Sequence, residues 1–254
     1  RSLFPEWANK LSRVSKNLKD KDPGALYIFR EPVPGREYIM GVDAAEGVGE
    51  DGDNSCFEIV DAVTCEQVAE FYSNTCPNHV FAQIIASVGL MYNNCLIIVE
   101  NEKCGMTVLS KLQFDIQYEN LFFSGTNGDK VGMKTTQSSR PMLLETLQTR
   151  LLTNSMVVRS KRFVHELKHF IFRRDSKKPE ATKGYHDDAI IALCLALYAR
   201  EAQQRCNPVG VMLDNPQETE KFKIQMFEEI MAELEKADQK TGWKNEIRCS
   251  KLMK

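Results

Sequence analysis

The chain has 254 residues, 43% hydrophobic and 9% aromatic, with 33 Lys and Arg against 35 Asp and Glu. That size and apolar content suit one large folded domain with appendages. The formal net charge of −2 excludes any argument for a nucleic-acid partner from overall charge, so only a local basic face could carry one.

Residues 1–37 are charged and punctuated by proline, with "KDKDPG" and "REPVPGRE" on either side of a short "ALYIF". They read as a lead-in linker or arm, and an Arg in first place predicts a fragment of a longer protein. From 38 to 205 the pattern is periodic. "YIMGVDAA" predicts a strand ending at Asp43, and "NSCFEIVDA" and "EQVAEFYS" alternate around a turn-like "VTC", as in an antiparallel meander. "NHVFAQIIASVGLMYNN" has helical spacing, and "CLIIVEN" is the short apolar run of a central buried strand. A helix in "CGMTVLSKLQFD", a strand in "NLFFSG", a helix in "SRPMLLETLQTRLLTN", a strand in "MVVRS" and a helix in "KRFVHELKHF" follow. "GYHDDAIIALCLAL" then opens on two aspartates and becomes apolar on nearly every face, which predicts a helix packed on several sides. Beyond 206 a tail carries one charged amphipathic helix. The whole is an α/β architecture, a mixed sheet with helices on its faces. No apolar run approaches the roughly 18 residues that span a bilayer, and no signal peptide is visible. The eight cysteines, at 56, 65, 76, 95, 104, 194, 206 and 249, include no CxxC pair. They predict no zinc knuckle, and a reducing, cytosolic setting.

Four acidic positions stand at strand ends or a helix start: Asp43, Asp53 in the next loop, Glu100, and the pair Asp187 and Asp188. A carboxylate ending an apolar strand is unfavourable unless paired or bound to a cation. If the strands of Asp43 and Glu100 are neighbours and the last helix crosses their ends, the carboxylates converge. They would then demand hard divalent cations, Mg²⁺ or Mn²⁺. Taken alone, Asp43 and Asp53 could each be turn residues, and Asp51 reads as a solvated loop charge. His165 and His169, four apart on a helix, lack a third ligand, and "GDKVGMKTT" lacks the spacing of a phosphate-binding loop.

Taken in order, "GVDAAEGVGEDGDNS", "LIIVENEKCGMTVLSKL", "VGMKTTQSSRPMLLETL" and "KGYHDDAIIALCLAL" resemble the C-terminal nuclease domain of the large terminase subunit of tailed bacteriophages, over about residues 36–200. The resemblance implies a ribonuclease H-like fold with a central five-stranded mixed sheet. It implies an endonuclease that cuts concatemeric double-stranded viral DNA during genome packaging, in the host cell cytoplasm. It places the catalytic and metal-binding acids on Asp43, Glu100, Asp187 and Asp188, with a further metal ligand at Asp53 or, with a shifted gap, at Asp51. Successive helical residues point about 100° apart, so Asp187 and Asp188 are not expected to contribute equally, and Asp187 is taken as the closer ligand. Two ions, bridged by Asp43 and roughly 3.5–4 Å apart, would activate water and stabilise the leaving 3′ oxygen. Lys130, Lys134, Arg140, Arg173, Arg174 and Lys183 flank these motifs and could meet phosphates. The family's ATPase motor is absent from this chain, and in a full-length protein that motor, the small terminase subunit and the portal would be partners. Two other readings remain open: a Holliday-junction-resolvase-like nuclease, and a non-catalytic docking module of a packaging motor.

Overall fold

The computed structural model describes residues 25–46, 52–125, 128–173 and 178–206. Five strands, β1 (Ala25–Ile28), β2 (Tyr38–Asp43), β3 (Ser55–Asp61), β4 (Gln67–Ser73) and β5 (Leu96–Val99), form one sheet in the order β1-β4-β3-β2-β5. The first four pair antiparallel, and β5 lies parallel to β2. A short turn after Asp61 closes the antiparallel pair β3–β4, whereas a parallel pair needs a crossover. Helix α1 (Asn78–Met91) supplies it.

Successive strand side chains point to opposite faces, so the sheet feeds two cores. Met40, Val42, Phe57, Ile59, Ile97 and Val99 share one core with α1 and with α2 (Cys104–Ser110), which continues into a π-helical turn at Lys111–Asp115. Ile39, Cys56, Val60 and Ile98 share the other with α3 (Ser139–Leu152), α4 (Lys161–His169) and α5 (Asp188–Cys206). Residues 189–197 of α5 are each at most 2% exposed, as an all-round apolar helix should be. Sheet, α3 and α4 enclose it.

One glycine sets how closely α5 approaches. A Cβ at Gly41 would lie 2.0 Å from the Ala192 carbonyl oxygen and 2.5 Å from the Ala196 amide nitrogen. Backbone therefore rests on backbone at the middle of β2, and the alanines at 192 and 196 complete the contact.

The structure departs from the sequence reading in three places. First, part of the predicted arm, the "ALYI" segment, is edge strand β1, with Leu26 buried against the sheet opposite Phe71. Tyr92 Oη donates to the Arg30 carbonyl at 2.7 Å, and Asn93 Nδ2 donates to the Val33 and Arg36 carbonyls at 2.8 and 2.9 Å. Residues 25–37 are thus tied to the sheet and its crossover helix rather than free of them. Second, "MVVRS" makes only a single bridge, Val157 to Glu66. The Gln67 side chain stops the ladder there, because its Oε1 takes the amides of Arg159 and Ser160, both at 2.7 Å. Third, two short hairpins appear, β6 (Phe123–Ser124) with β7 (Lys130–Val131), and β8 (Phe170–Arg173) with β9 (Lys178–Ala181). "NLFFSG" is mostly spent before β6, where the Ile97 amide donates to the Asn120 carbonyl and the Ile97 carbonyl accepts from the Phe122 amide. Residues 1–24, the tail beyond 206, Asp51 and Arg174 lie outside the described residues.

Candidate active site

The alternation of β2 sends Ile39, Gly41 and Asp43 to the α5 side, and that of β5 sends Ile98 and Glu100 to the same side. Parallel register sets Val42 beside Val99, and the Glu100 amide donates to the Val42 carbonyl at 2.9 Å. Asp43 and Glu100 therefore leave the sheet side by side. Burial pushes the Asp43 carboxyl well above the usual carboxylate range, and the charges of Glu100 and Asp188, a hydrogen bond with Glu100 and the charge of Asp187 push it further. Such a carboxylate is stable as an anion only beside positive charge.

Helix α5 brings the third acid. Ala192 rests on Gly41. Asp188 stands one turn earlier, about 6 Å along the helix, and Asp43 two residues further along β2, about 6.6 Å along the strand. Asp188 is 6% exposed, and its Oδ2 accepts from the Asn54 amide at 2.8 Å and from Asn54 Nδ2 at 2.9 Å. Burial lifts its carboxyl to about 6, with the Asn54 bonds and His186 pulling the other way. His186 Nδ1 lies 3.9 Å from that oxygen and 3.5 Å from Asp53 Oδ1. One donor atom from each of Asp53, His186 and Asp188 fits within 4.8 Å of the others.

Asp187 turns elsewhere. Its carboxylate forms an ion pair with Arg140 of α3, and its carbonyl accepts from the Ile191 amide at 2.9 Å, which makes it the residue just before the helix proper. Its charge still reaches Asp43, though less strongly than that of Asp188. The expectation that Asp187 is the closer ligand is thus not favoured by this geometry. Arg140, expected to face DNA phosphate, is already engaged by Asp187.

The other basic candidates divide by position. Lys130 and Lys134 are exposed on the segment that pairs with the end of β5, where the Asn101 amide donates to the Met133 carbonyl at 2.8 Å. Gly132, at φ 72°, permits this approach, since a Cβ there would sit 2.5 Å from the Val99 carbonyl oxygen. Lys183 is exposed in the turn before α5, and Arg173 ends β8. His165 and His169 stack on each other and on Tyr185, with ring centroids 4.8, 5.8 and 3.6 Å apart. Among the described residues, neither belongs to the group of Asp53, His186 and Asp188 that could hold a metal ion.

The donor set suits a cation. Carboxylate oxygens on Asp43, Glu100, Asp188 and Asp53 match Mg²⁺ or Mn²⁺, and the imidazole nitrogen of His186 adds a donor that Mn²⁺, Co²⁺ and Zn²⁺ accept readily. Sequence reasoning passed over His186 and Asn54 as site residues. The only signal for His186 was its place directly before the paired aspartates, and for Asn54 there was none, because its contact is with a residue 134 positions away.

No family model matches the chain. Among solved structures, the large terminase nuclease of thermophilic phage G20c with bound magnesium is similar at a TM-score of 0.58 and 18% sequence identity, over 70% of this chain and 89% of that one. The same nuclease with bound cobalt gives the same values. The large terminase nuclease domain of Thermus phage P74-26 is similar at 0.54 and 18% identity, over 76% of this chain and 92% of that one. The fold is that of the phage large terminase nucleases. Its five-stranded mixed sheet and flanking helices are those the resemblance implied, with β1 taken from the segment assigned to the arm.

Proposed function

We propose that this chain is a metal-dependent endonuclease that hydrolyses phosphodiester bonds of double-stranded viral DNA during genome packaging, in the host cytoplasm. In a longer protein it would be served by an ATPase motor and meet the small terminase subunit and portal. The observation that carries the reading is the meeting of Asp43, Glu100 and Asp188 at one end of a terminase-nuclease fold.

Asp43, Glu100 and Asp188 would hold the two Mg²⁺ or Mn²⁺ ions, with Asp53 and His186 as further donors beside Asp188. Bound there, the cations would acidify a water and stabilise charge on the phosphate and the departing 3′ oxygen. The protein's own part is positional. Asn54 holds one oxygen of Asp188, and Arg140 holds Asp187, so neither aspartate is free to swing. Lys130, Lys134 and Lys183 neutralise backbone phosphates on either side of the acids and bring DNA to them. Arg173, which ends β8, extends that role, and Arg174 follows it in the sequence. None of this needs a covalent nucleophile.

The test is incubation of the chain with supercoiled plasmid and Mn²⁺ or Mg²⁺, with an EDTA control. Metal-dependent nicking and linearisation are expected. No cleavage at high protein concentration would remove the nuclease reading and favour the docking module.

A further inference from the structure

The hydrogen bonds that hold Asp188 continue away from the acids. Asn54 Nδ2 has two hydrogens, and it directs one to Asp188 Oδ2 at 2.9 Å and the other to Tyr72 Oη at 3.0 Å. Tyr72 Oη, accepting there, donates its own proton to Glu166 Oε1 at 2.9 Å. Glu166 Oε2 accepts from the Ile190 amide at 3.1 Å, in the first turn of α5. The circuit then returns through two residues of helix to Asp188. Its members come from the loop before β3, from β4, from α4 and from α5, so four separate pieces of chain agree on one carboxylate.

Stability alone does not account for this arrangement. Glu166 is 4% exposed, and burial together with the charges of Asp188 and Asp187 works against its ionised form. A neutral side chain could cap α5 without that repulsion. What the circuit adds is direction, because Asn54 grips Asp188 Oδ2 through both its amide and its Nδ2 and is itself tied to Tyr72. Partners behind a ligand typically govern how firmly it binds metal.

We propose that Tyr72 and Glu166 are positioning residues for the nuclease site: through Asn54 and the first turn of α5 they fix the carboxylate of Asp188 toward the cation. This rests on the nuclease reading.

The test uses the full chain with Tyr72→Phe, which removes one hydroxyl, with Asn54→Ala, and with the double variant. Calorimetric titration with Mn²⁺, plasmid turnover, and melting in EDTA are measured for each. Tyr72→Phe is expected to weaken Mn²⁺ binding roughly 10-fold or more and to lower kcat by a similar factor, while KM for plasmid stays within about twofold. The double variant should bind Mn²⁺ no more weakly than Asn54→Ala, because both substitutions break one circuit. If Tyr72→Phe does not fold, Glu166→Gln carries the same measurements. A variant that melts lower yet binds Mn²⁺ and cuts like the parent overturns the proposal and leaves a plain helix cap, and additive losses in the double variant overturn it as well. A parent that neither binds Mn²⁺ nor cuts overturns the nuclease reading and this role with it; an active parent with indifferent variants overturns this role alone.

Discussion

Asp43 is crowded by Glu100 on one side and Asp188 on the other, so its charge is both the reason a cation would bind and a source of strain when none is bound. Asp43→Asn keeps the shape and removes the charge. Plasmid cleavage should fall by several orders of magnitude while the circular dichroism spectrum stays that of the parent, and near-parental cutting would sink the site assignment. The same crowding fixes a pH dependence. Asp188 is lifted to about 6, first by burial, and Asp43 is raised as well. Between about pH 4 and pH 6 the native chain therefore keeps protons that the unfolded chain has released, and this contribution to stability falls as pH rises through that window. In EDTA the effect of Asp188 between pH 5 and 7.5 should be on the order of 1 kcal/mol, with Asp43 adding to it in the same direction, and the whole should shrink in Asp43→Asn. Urea midpoints for parent and variant at the two pH values give the answer; identical pH slopes would show that the acids are not electrostatically coupled.

At the level of elements, the site depends on how α5 lies on β2. Adding one methyl at position 41 forces helix and strand apart where backbone meets backbone. Gly41→Ala should lower stability by about 1–3 kcal/mol and cut activity as well, because the displaced helix carries Asp188 with it. Chemical denaturation beside plasmid cleavage would show both, and a stable, fully active variant would mean the helix has room to spare. The strands bearing Asp43 and Glu100 were legible in the sequence because an acid closing an apolar run stands out against its own neighbours. The apolar length of α5 was legible for the same local reason. Edge strand β1 was hidden by the prolines around it, and the lost strand at Val157 by a Gln67 side chain that substitutes for backbone partners. The two aspartates at the start of α5 looked like caps, but it is Glu166, from another helix, that takes the Ile190 amide. Contacts between distant residues leave no mark on either segment alone.

For the molecule as a whole, metal and fold should be linked. Divalent cation bound only by the native chain stabilises it in proportion to the logarithm of saturation, about 2.7 kcal/mol at a hundredfold excess over Kd. For a domain of this size that corresponds to a rise in Tm of about 5–10 °C. Mg²⁺, Mn²⁺ and Ca²⁺ should all produce a rise, while Ca²⁺, with longer bonds and looser coordination, should support little cutting. Asp43→Asn should melt at or above the parent in EDTA and gain less from Mn²⁺. A thermal-shift series run beside plasmid cleavage tests the set, and no shift with any cation at millimolar concentration would argue against a metal site in this chain.

The bond from Asn54 to Asp188 spans 134 residues, and that separation has a meaning in time. The meander of β2, β3 and β4 can form from neighbouring sequence, β5 must wait for its crossover, and α5 arrives last. Distant pairings are the slow ones, so a refolding chain should regain its sheet signal before its ability to bind Mn²⁺. Stopped-flow circular dichroism set against the recovery of metal binding would show the delay. A chain emerging from the ribosome would in the same way complete its sheet before Asp188 joins Asp43 and Glu100, and on the proposed nuclease reading it could not cut DNA until α5 docked.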